Sequence, residues 1–314
     1  MRTAISKLSS LVLLLAIILM SSCEKESFTP TPDPIDDITS EPVTIDQEVV
    51  LAIPSTDYQD KLELMVRNGY RPVWIDGFMH RAGVATSTHN TTRFNVIFEK
   101  AAEGEKWASF HGLSGSQYQE KYDEMKGDGY RLEFIESYLE DGNIRYAPIF
   151  VKKSGPALAA IHELPIASWQ NYFDTKVADG YRLVNRSVVV KDGNKYVTAL
   201  FDKKNVGNWI SHSNMDLAET QTTMENNKAD GRALRHLDIS QTSATDFTFA
   251  AIFDKDDFNN WYAPNGLTQA ELEAEIANAK SNGYKTTIVS AYDVFQLVNG
   301  NETYAIRFAA GFVK

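Results

Sequence analysis

Five glycines, Gly69, Gly129, Gly180, Gly231 and Gly283, follow one another at intervals of 60, 51, 51 and 52 residues. Asn or Asp precedes each of them, and Gly-Tyr-Arg is written three times, at 69–71, 129–131 and 180–182. Eleven residues before the glycines stand Tyr58, Tyr118, Trp169, Thr220 and Leu272; seven before stand Leu62, Tyr122, Phe173, Met224 and Ile276. Two such columns give a helix one buried face. Ser114 with Gln117, Asp216 with Glu219 and Thr268 with Glu271 have the spacing of capping boxes that would open three of these helices. Each glycine then reads as the helix stop, where a left-handed residue is needed, and a large residue after it can fold back on the last turn. Gly-Tyr-Arg is therefore structural punctuation, with the arginine opening a strand.

A second anchor follows each stop: FEK at 98, FVK at 150, FDK at 201 and 253, FVK at 312. Between stop and anchor, EDGN (140–143), KDGN (191–194) and NGN (299–301) signal tight hairpin turns. One more strand precedes each helix, as in EVVLAIP (48–54), KWASFHG (106–112) and ALAAIHE (157–163). The unit is strand, helix, hairpin, and five copies fill 48–314: about 47–100, 101–152, 153–203, 204–255 and 256–314. Self-similarity at this period means a repeat architecture. The expected fold is an α+β repeat protein, five units of one helix plus a three-stranded antiparallel sheet, in a closed or nearly closed propeller-like ring; an open solenoid is the alternative. No strand follows the last hairpin, so 48–54 is expected to pair beside 304–313. That pairing would set the hairpins of copies one and five next to each other.

The N-terminus reads differently. Arg2 and Lys7 precede the apolar run Leu11–Met20, then Ser21, Ser22 and Cys23, the only cysteine. Such a run is too short for a spanning helix and has the form of a secretory signal over 1–22. Met20-Ser21-Ser22-Cys23 resembles a lipoprotein lipobox, which implies cleavage before Cys23 and lipidation of its thiol. Residues 23–46, with TPTPDPIDDITSEP at 29–42, read as a Pro/Asp-rich tether. Glu24-Lys25-Glu26 resembles the export signals of surface lipoproteins, so the outer membrane and cell surface are the expected location. The chain carries 31 basic and 42 acidic residues, and losing Arg2 and Lys7 makes it more acidic. That balance repels nucleic acid and anionic lipid. With Cys23 acylated, no thiol remains for a disulfide.

NGYRPVWIDGF (68–78), RFNVIFEK (93–100), KWASFHGLSGSQYQEKYDEM (106–125) and GYRLEFIESY (129–138) resemble the bacterial tandem repeat domain family. Similar repeats form the N-terminal domain of fungal polyglycine hydrolases, ahead of a serine β-lactamase-like domain. The likeness spans nearly all of 48–314, and later copies drift, as in HSNMDLAET (212–220). Catalysis in that family belongs to the β-lactamase-like domain and its Ser-x-x-Lys. The spacing occurs here in Ser22-Cys23-Glu24-Lys25, astride the expected cleavage point. The resemblance thus implies a scaffold and no catalytic residue.

His111, His162 and His212 recur before the helices and read as polar residues near a helix start rather than as metal ligands. HELPI (162–166) is not a zinc-peptidase motif, GLSGS (112–116) is not a nucleophile elbow, and DKDDF (254–258) lacks the glycine and glutamate of a calcium loop. No cofactor and no metal are expected. Length is more informative. From stop to anchor the copies run 29, 21, 21, 22 and 29 residues, so the variation falls in the hairpins of copies one and five. Exposed loops on a rigid scaffold are where binding residues gather. His80, Arg81, His89, Asn90 and Arg93 of copy one and Gln296 and Asn299 of copy five are the candidate ligand contacts. The expected function is a non-enzymatic, lipid-anchored surface protein that binds an extracellular protein or glycan. A peptidase-like hydrolase with a site assembled from scattered residues, or a structural envelope protein, are the alternatives.

Overall fold

The computed structural model describes residues 45–82, 89–243, 245–256, 260–298 and 301–314. The expected signal segment, Cys23 and the tether to residue 44 lie outside them, as does Asn299; of His89 only the backbone is described. Unit one comprises β1 (Gln47–Pro54), α1 (Ser55–Arg67), β2 (Tyr70–Ala82) and β3 (His89–Lys100). Unit two holds β4 (Trp107–Ser109), α2 (Gly115–Gly127), β5 (Arg131–Glu140) and β6 (Asn143–Val151). Unit three holds β7 (Leu158–Pro165), α3 (Ile166–Ala178), β8 (Arg182–Lys191) and β9 (Asn194–Asp202). Unit four holds β10 (Ile210–Met215), α4 (Leu217–Ala229), β11 (Ala233–Ser243) and β12 (Asp246–Asp254). Unit five holds β13 (Trp261–Tyr262), α5 (Gln269–Ser281), β14 (Lys285–Val298) and β15 (Asn301–Val313).

All five helices are 13 residues long. The column eleven before the glycine is buried in every unit: Tyr58, Tyr118, Trp169, Thr220 and Leu272. Ser114, Asp216 and Thr268 close their capping boxes, while α1 and α3 start after Pro54 and Pro165 without a side-chain cap. At the other end all five stop glycines have positive φ, from +71° to +80°. Tyr130 N donates to Met125 O at 2.8 Å and Gly129 N to Lys126 O at 3.1 Å, which satisfies carbonyls the helix leaves open. The tyrosine after the glycine lies by the lysine that ends the same hairpin. Lys100, Lys152, Lys203 and Lys314 stand 4.2, 5.3, 4.6 and 5.6 Å from the ring centres of Tyr70, Tyr130, Tyr181 and Tyr284. Motif and anchor are thus two halves of one contact.

Each unit forms its own three-stranded antiparallel sheet, with the second hairpin strand in the middle. The pairing expected for 48–54 is not made. β1 runs antiparallel to β3, from Gln47 opposite Glu99 to Pro54 opposite Arg93. The last sheet is not a strand short either, because Trp261 and Tyr262 pair with Val313 and Phe312. The helix carries the chain back over its own sheet, so the strand before it joins the hairpin that follows. The turns in units two and three have φ of +50° at Asp141 and Asp192, and positive φ at Gly142 and Gly193, as a two-residue hairpin turn requires.

Every inner strand carries a register irregularity at the same place, between residues three and five after the glycine: Pro72/Trp74, Leu132/Phe134, Leu183/Asn185, Leu234/His236 and Thr286/Ile288. A bulge re-aims the residues that follow it. Here those residues meet side chains of other units. β2 lies against β5, β5 against β8, β8 against β11, β11 against β14, and β14 against β2.

The bonds between units follow three rules. First, the backbone N–H eight residues after a stop donates to the side chain seven after the next stop. Ser137 N donates to Ser187 Oγ at 3.1 Å and Ala291 N of unit five to Asp76 Oδ2 of unit one at 3.1 Å, and the Gly77 and Val188 backbone N–H groups favour the charged forms of Glu136 and Asp238 in the same way. Second, the side chain five after a stop meets the backbone of the preceding unit. Ile135 N donates to Asn185 Oδ1 at 2.9 Å, His236 Nε2 is 2.5 Å from Arg186 O, and Trp74 Nε1 of unit one donates to Val289 O of unit five at 2.7 Å. Third, the cation two after a stop reaches the acid that follows the anchor phenylalanine at the end of the next unit's middle strand. The pairs are Arg131–Asp202 at 3.7 Å, Arg182–Asp254 at 3.4 Å and Lys285–Glu99 at 3.7 Å. Units five and one obey all three.

Candidate functional site

Seven residues after each stop stands a polar residue: Asp76, Glu136, Ser187, Asp238 and Ser290. All five lie where the inner strands meet. Glu136, Ser187, Asp238 and Ser290 are buried, while Asp76 is surrounded by protein but keeps part of its surface open to the space between the strands. Below this layer Trp74, Phe134 and His236 pack together, with ring centres 4.8 Å apart for Trp74–Phe134 and 5.1 Å for Trp74–His236. On its other side opens a cavity of about 80 Å³. Asp76, Glu136, Asp238, Ser137, Gln241 and Arg81 are among its walls, which come from all five inner strands.

The electrostatics of the layer follow from burial. Asp76 accepts from Asn95 Nδ2 at 2.8 Å and from Ala291 N, yet loss of water outweighs these bonds and pushes its carboxyl up to about 7. Burial raises Asp238 to about 7 as well, against the attraction of Arg186. Glu136 is held well above the carboxylate range by burial, then by the charges of Asp76 and Asp238; a bond from Ser187 Oγ at 3.1 Å opposes this. Burial lowers His236 to about 4, so the ring is neutral at physiological pH. Arg186 sits over the Trp169 ring at 5.4 Å.

The layer nearer the hairpins contains a knot between units. Asp293 of unit five, with its side chain fully buried, takes His80 Nδ1 at 2.7 Å and Arg81 N at 2.6 Å, both from unit one. Arg81 Nη1 lies 3.9 Å from the same carboxylate. Gln241 of unit four grips the Asp293 backbone, donating to its O at 2.6 Å and accepting from its N at 2.9 Å. The long hairpins of units one and five are thereby bound side by side at their bases.

The sequence-derived contacts fall in several places. His80 and Arg81 meet at Asp293. Asn90 is exposed and lines a separate groove of about 620 Å³ between units one and two, with Ser55, Thr56 and the turn 140–142. Arg93 Nη1 donates to Ala52 O at 2.8 Å and so is engaged in holding β1. Gln296 lies on β14 opposite Thr303. His111 and His162 do not converge. His111 bonds Gln59 Oε1 at 2.8 Å beside Tyr58, and His162 packs edge-on to Tyr118, each against the helix of the preceding unit. His212 lies near Asn227 and Phe253 of its own unit. Among the described residues no three His, Cys, Asp or Glu stand together at metal-binding separation, and no helix is long and apolar enough to cross a membrane. Sequence reasoning passed over Asp76, Glu136, Asp238 and Asp293. The signal for the first three was a column of polar residues at one fixed offset from the helix stops.

A model of one protein family, described as polyglycine hydrolase-like, structural repeat, matches residues 48–101, 104–153, 155–204, 206–256 and 259–314. Each match spans one strand–helix–hairpin unit.

Proposed function

This chain belongs to the polyglycine hydrolase-like structural repeat family, and on that premise we propose that it is a non-enzymatic binding protein built as a closed five-unit ring. It presents the hairpin face of units one and five to an extracellular protein or glycan, and is held to the outer membrane by a lipid on Cys23. Support for the ring comes from the unit five–unit one junction, which uses the same three kinds of bond as the internal junctions. The binding face rests chiefly on one observation: Asp293 ties His80 and Arg81 into a buried knot, so the two longest hairpins start from one rigid base. A site preorganised in this way loses less entropy on binding.

The test shortens one hairpin without touching its base. Arg81 and Asn90 face each other across β2 and β3, so Asn-Gly in place of 82–89 can close the strands with a two-residue turn. Wild type and variant are compared on a glycan array and against purified surface proteins. The reading expects a ligand whose affinity falls at least tenfold in the shortened protein, with an unchanged melting temperature. Equal affinity of both proteins for the ligand found would remove the hairpin face, and turnover of that ligand would replace binding with catalysis. Membrane attachment is tested by Cys23→Ser, which should move the protein to the soluble fraction.

A further inference from the structure

The outer strands of units two, four and five begin at or beside a tryptophan, Trp107, Trp209 and Trp261, whereas unit three has Leu158 at that place. Leu158 pairs with Asp202 and Trp261 with Val313, each one residue past its own unit's anchor phenylalanine, so the positions correspond. Two of these indoles pack into the preceding unit. Trp261 is 2% exposed. Its Nε1 donates to Arg232 O at 2.9 Å, its ring centre lies 6.1 Å from that of Phe253, and Lys228 Nζ stands over it at 5.7 Å. Trp209 meets Phe173 edge-on with ring centres 6.0 Å apart, and Val206, five residues after the anchor of unit three, is buried. Counted from the helix stop and the anchor, the places of Arg232, Phe253, Lys228, Phe173 and Val206 are held in unit two by Tyr130, Phe150, Lys126, Tyr122 and Gly155. All five line a cavity of about 480 Å³ that has Leu158 in its wall. Leucine in place of tryptophan and glycine in place of valine leave open here what the later units fill.

We propose that this cavity is a docking slot for an aromatic side chain, tryptophan foremost, presented by another polypeptide. The molecule's own repeats identify the occupant, because the corresponding places in later units hold an indole. A buried indole N–H needs an acceptor, and the Tyr130 carbonyl stands where that of Arg232 serves Trp261. Lys126 stands where Lys228 faces the Trp261 ring, and a cation over an indole is attractive. Tyr122 and Phe150 supply aromatic walls. The volume lies within the roughly 300–1,000 Å³ of ligand sites. Lys126, Lys153, Ser154 and Gly155, also in the lining, are exposed, so a ring can enter while still attached to a chain. A single aromatic anchor in such a pocket is the kind of contact that carries an interface. The slot lies at the helix-stop end of its strands and the hairpin turns at the other, so the inference is independent of the proposed hairpin face.

The purified full chain is titrated with Nα-acetyl-tryptophanamide, with Nα-acetyl-leucinamide as the aliphatic control and free indole as the ring without a backbone. The readouts are the amide resonances of Gly129, Tyr130 and Gly155 and the melting temperature. A saturable shift of these resonances with the tryptophan amide, at least tenfold weaker with the leucine amide, supports the slot. Leu158→Trp places the chain's own indole where units four and five have theirs. It should weaken the response at least tenfold and leave the melting temperature equal to that of the wild type or higher. An unchanged saturable response in Leu158→Trp overturns the proposal, as do equal responses to the two amides or no response to either. Binding of free indole without binding of the tryptophan amide overturns it too, because the slot would then exclude a residue of a chain. Should Leu158→Trp fail to fold, Leu158→Phe takes its place, and the comparison of the two amides on the wild type needs no variant.

Discussion

A single residue, the stop glycine, sets where each helix ends, and its energetic weight can be separated from that of glycine in general. Gly129 has φ +80° and Gly127, two residues earlier, lies in the last turn of α2 with open space around its Cβ position. Gly129→Ala should destabilise by about 1 kcal/mol, because alanine must enter the left-handed region. Gly127→Ala should be neutral or stabilising by up to about 1 kcal/mol, since glycine is a poor helix former. Urea denaturation of the two variants checks this; equal losses would mean that α2 does not end at Gly129. Gly104, an exposed loop glycine, cannot serve as the unstrained control, because its φ is +76° as well. At this scale the sequence was easy to read. A helix stop has a strict steric requirement, and so it writes the same letter five times. Tyrosine was less constant, and unit four shows why: with Arg232 in its place, the contact to the terminal lysine is replaced by a bond from Arg232 Nη1 to Asp230 at 2.7 Å.

Among the elements, the helices and hairpins announced themselves through columns, caps and Asp-Gly turns, whereas the role of the inner strands did not. Their bulge turns the residues after it toward the other units, and a local pattern cannot reveal what a strand faces across the molecule. Asp76, Glu136 and Asp238 therefore looked like ordinary polar strand residues. Asp293 was hidden further, because its partners His80 and Arg81 are more than two hundred residues away. The buried carboxyls leave a mark on stability. A carboxyl raised to about 7, as in Asp238, holds its proton when folded and loses it near its ordinary value when unfolded. Its contribution is complete below about pH 4 and is lost as the pH rises through 7. Asp76 and Glu136 act in the same direction. His236 opposes them: lowered to about 4, it contributes fully above its ordinary value and loses that contribution as the pH falls toward 4. Asp238→Asn should therefore make the decline in stability from pH 4 to 7 shallower, by an amount on the order of a few kcal/mol. Denaturation curves across pH 4–8 test this, and parallel profiles for wild type and variant would show that Asp238 does not titrate in this range.

For the whole molecule, the expected joining of the first and last strands was the wrong mechanism for bringing the two ends together. Each sheet is complete by itself, and the units adhere through side-chain bonds to neighbouring backbone, which leave no signature in a strand count. The proposed ring depends on the junction between units five and one, and there the chain offers a direct probe. Lys285 Nζ lies 3.7 Å from Glu99 Oε1, with side chains 54% and 33% exposed. Lys204 and Asp256, each just past the middle strand of units three and four, form a similar pair between those two units, 52% and 32% exposed. Zero-length carbodiimide coupling, followed by peptide mass spectrometry of the monomer fraction, reads both junctions in one experiment. A closed ring predicts a Lys285–Glu99 amide in yield comparable to Lys204–Asp256. Coupling of Lys204 to Asp256 with no coupling of Lys285 to Glu99 would contradict the ring and leave an open array.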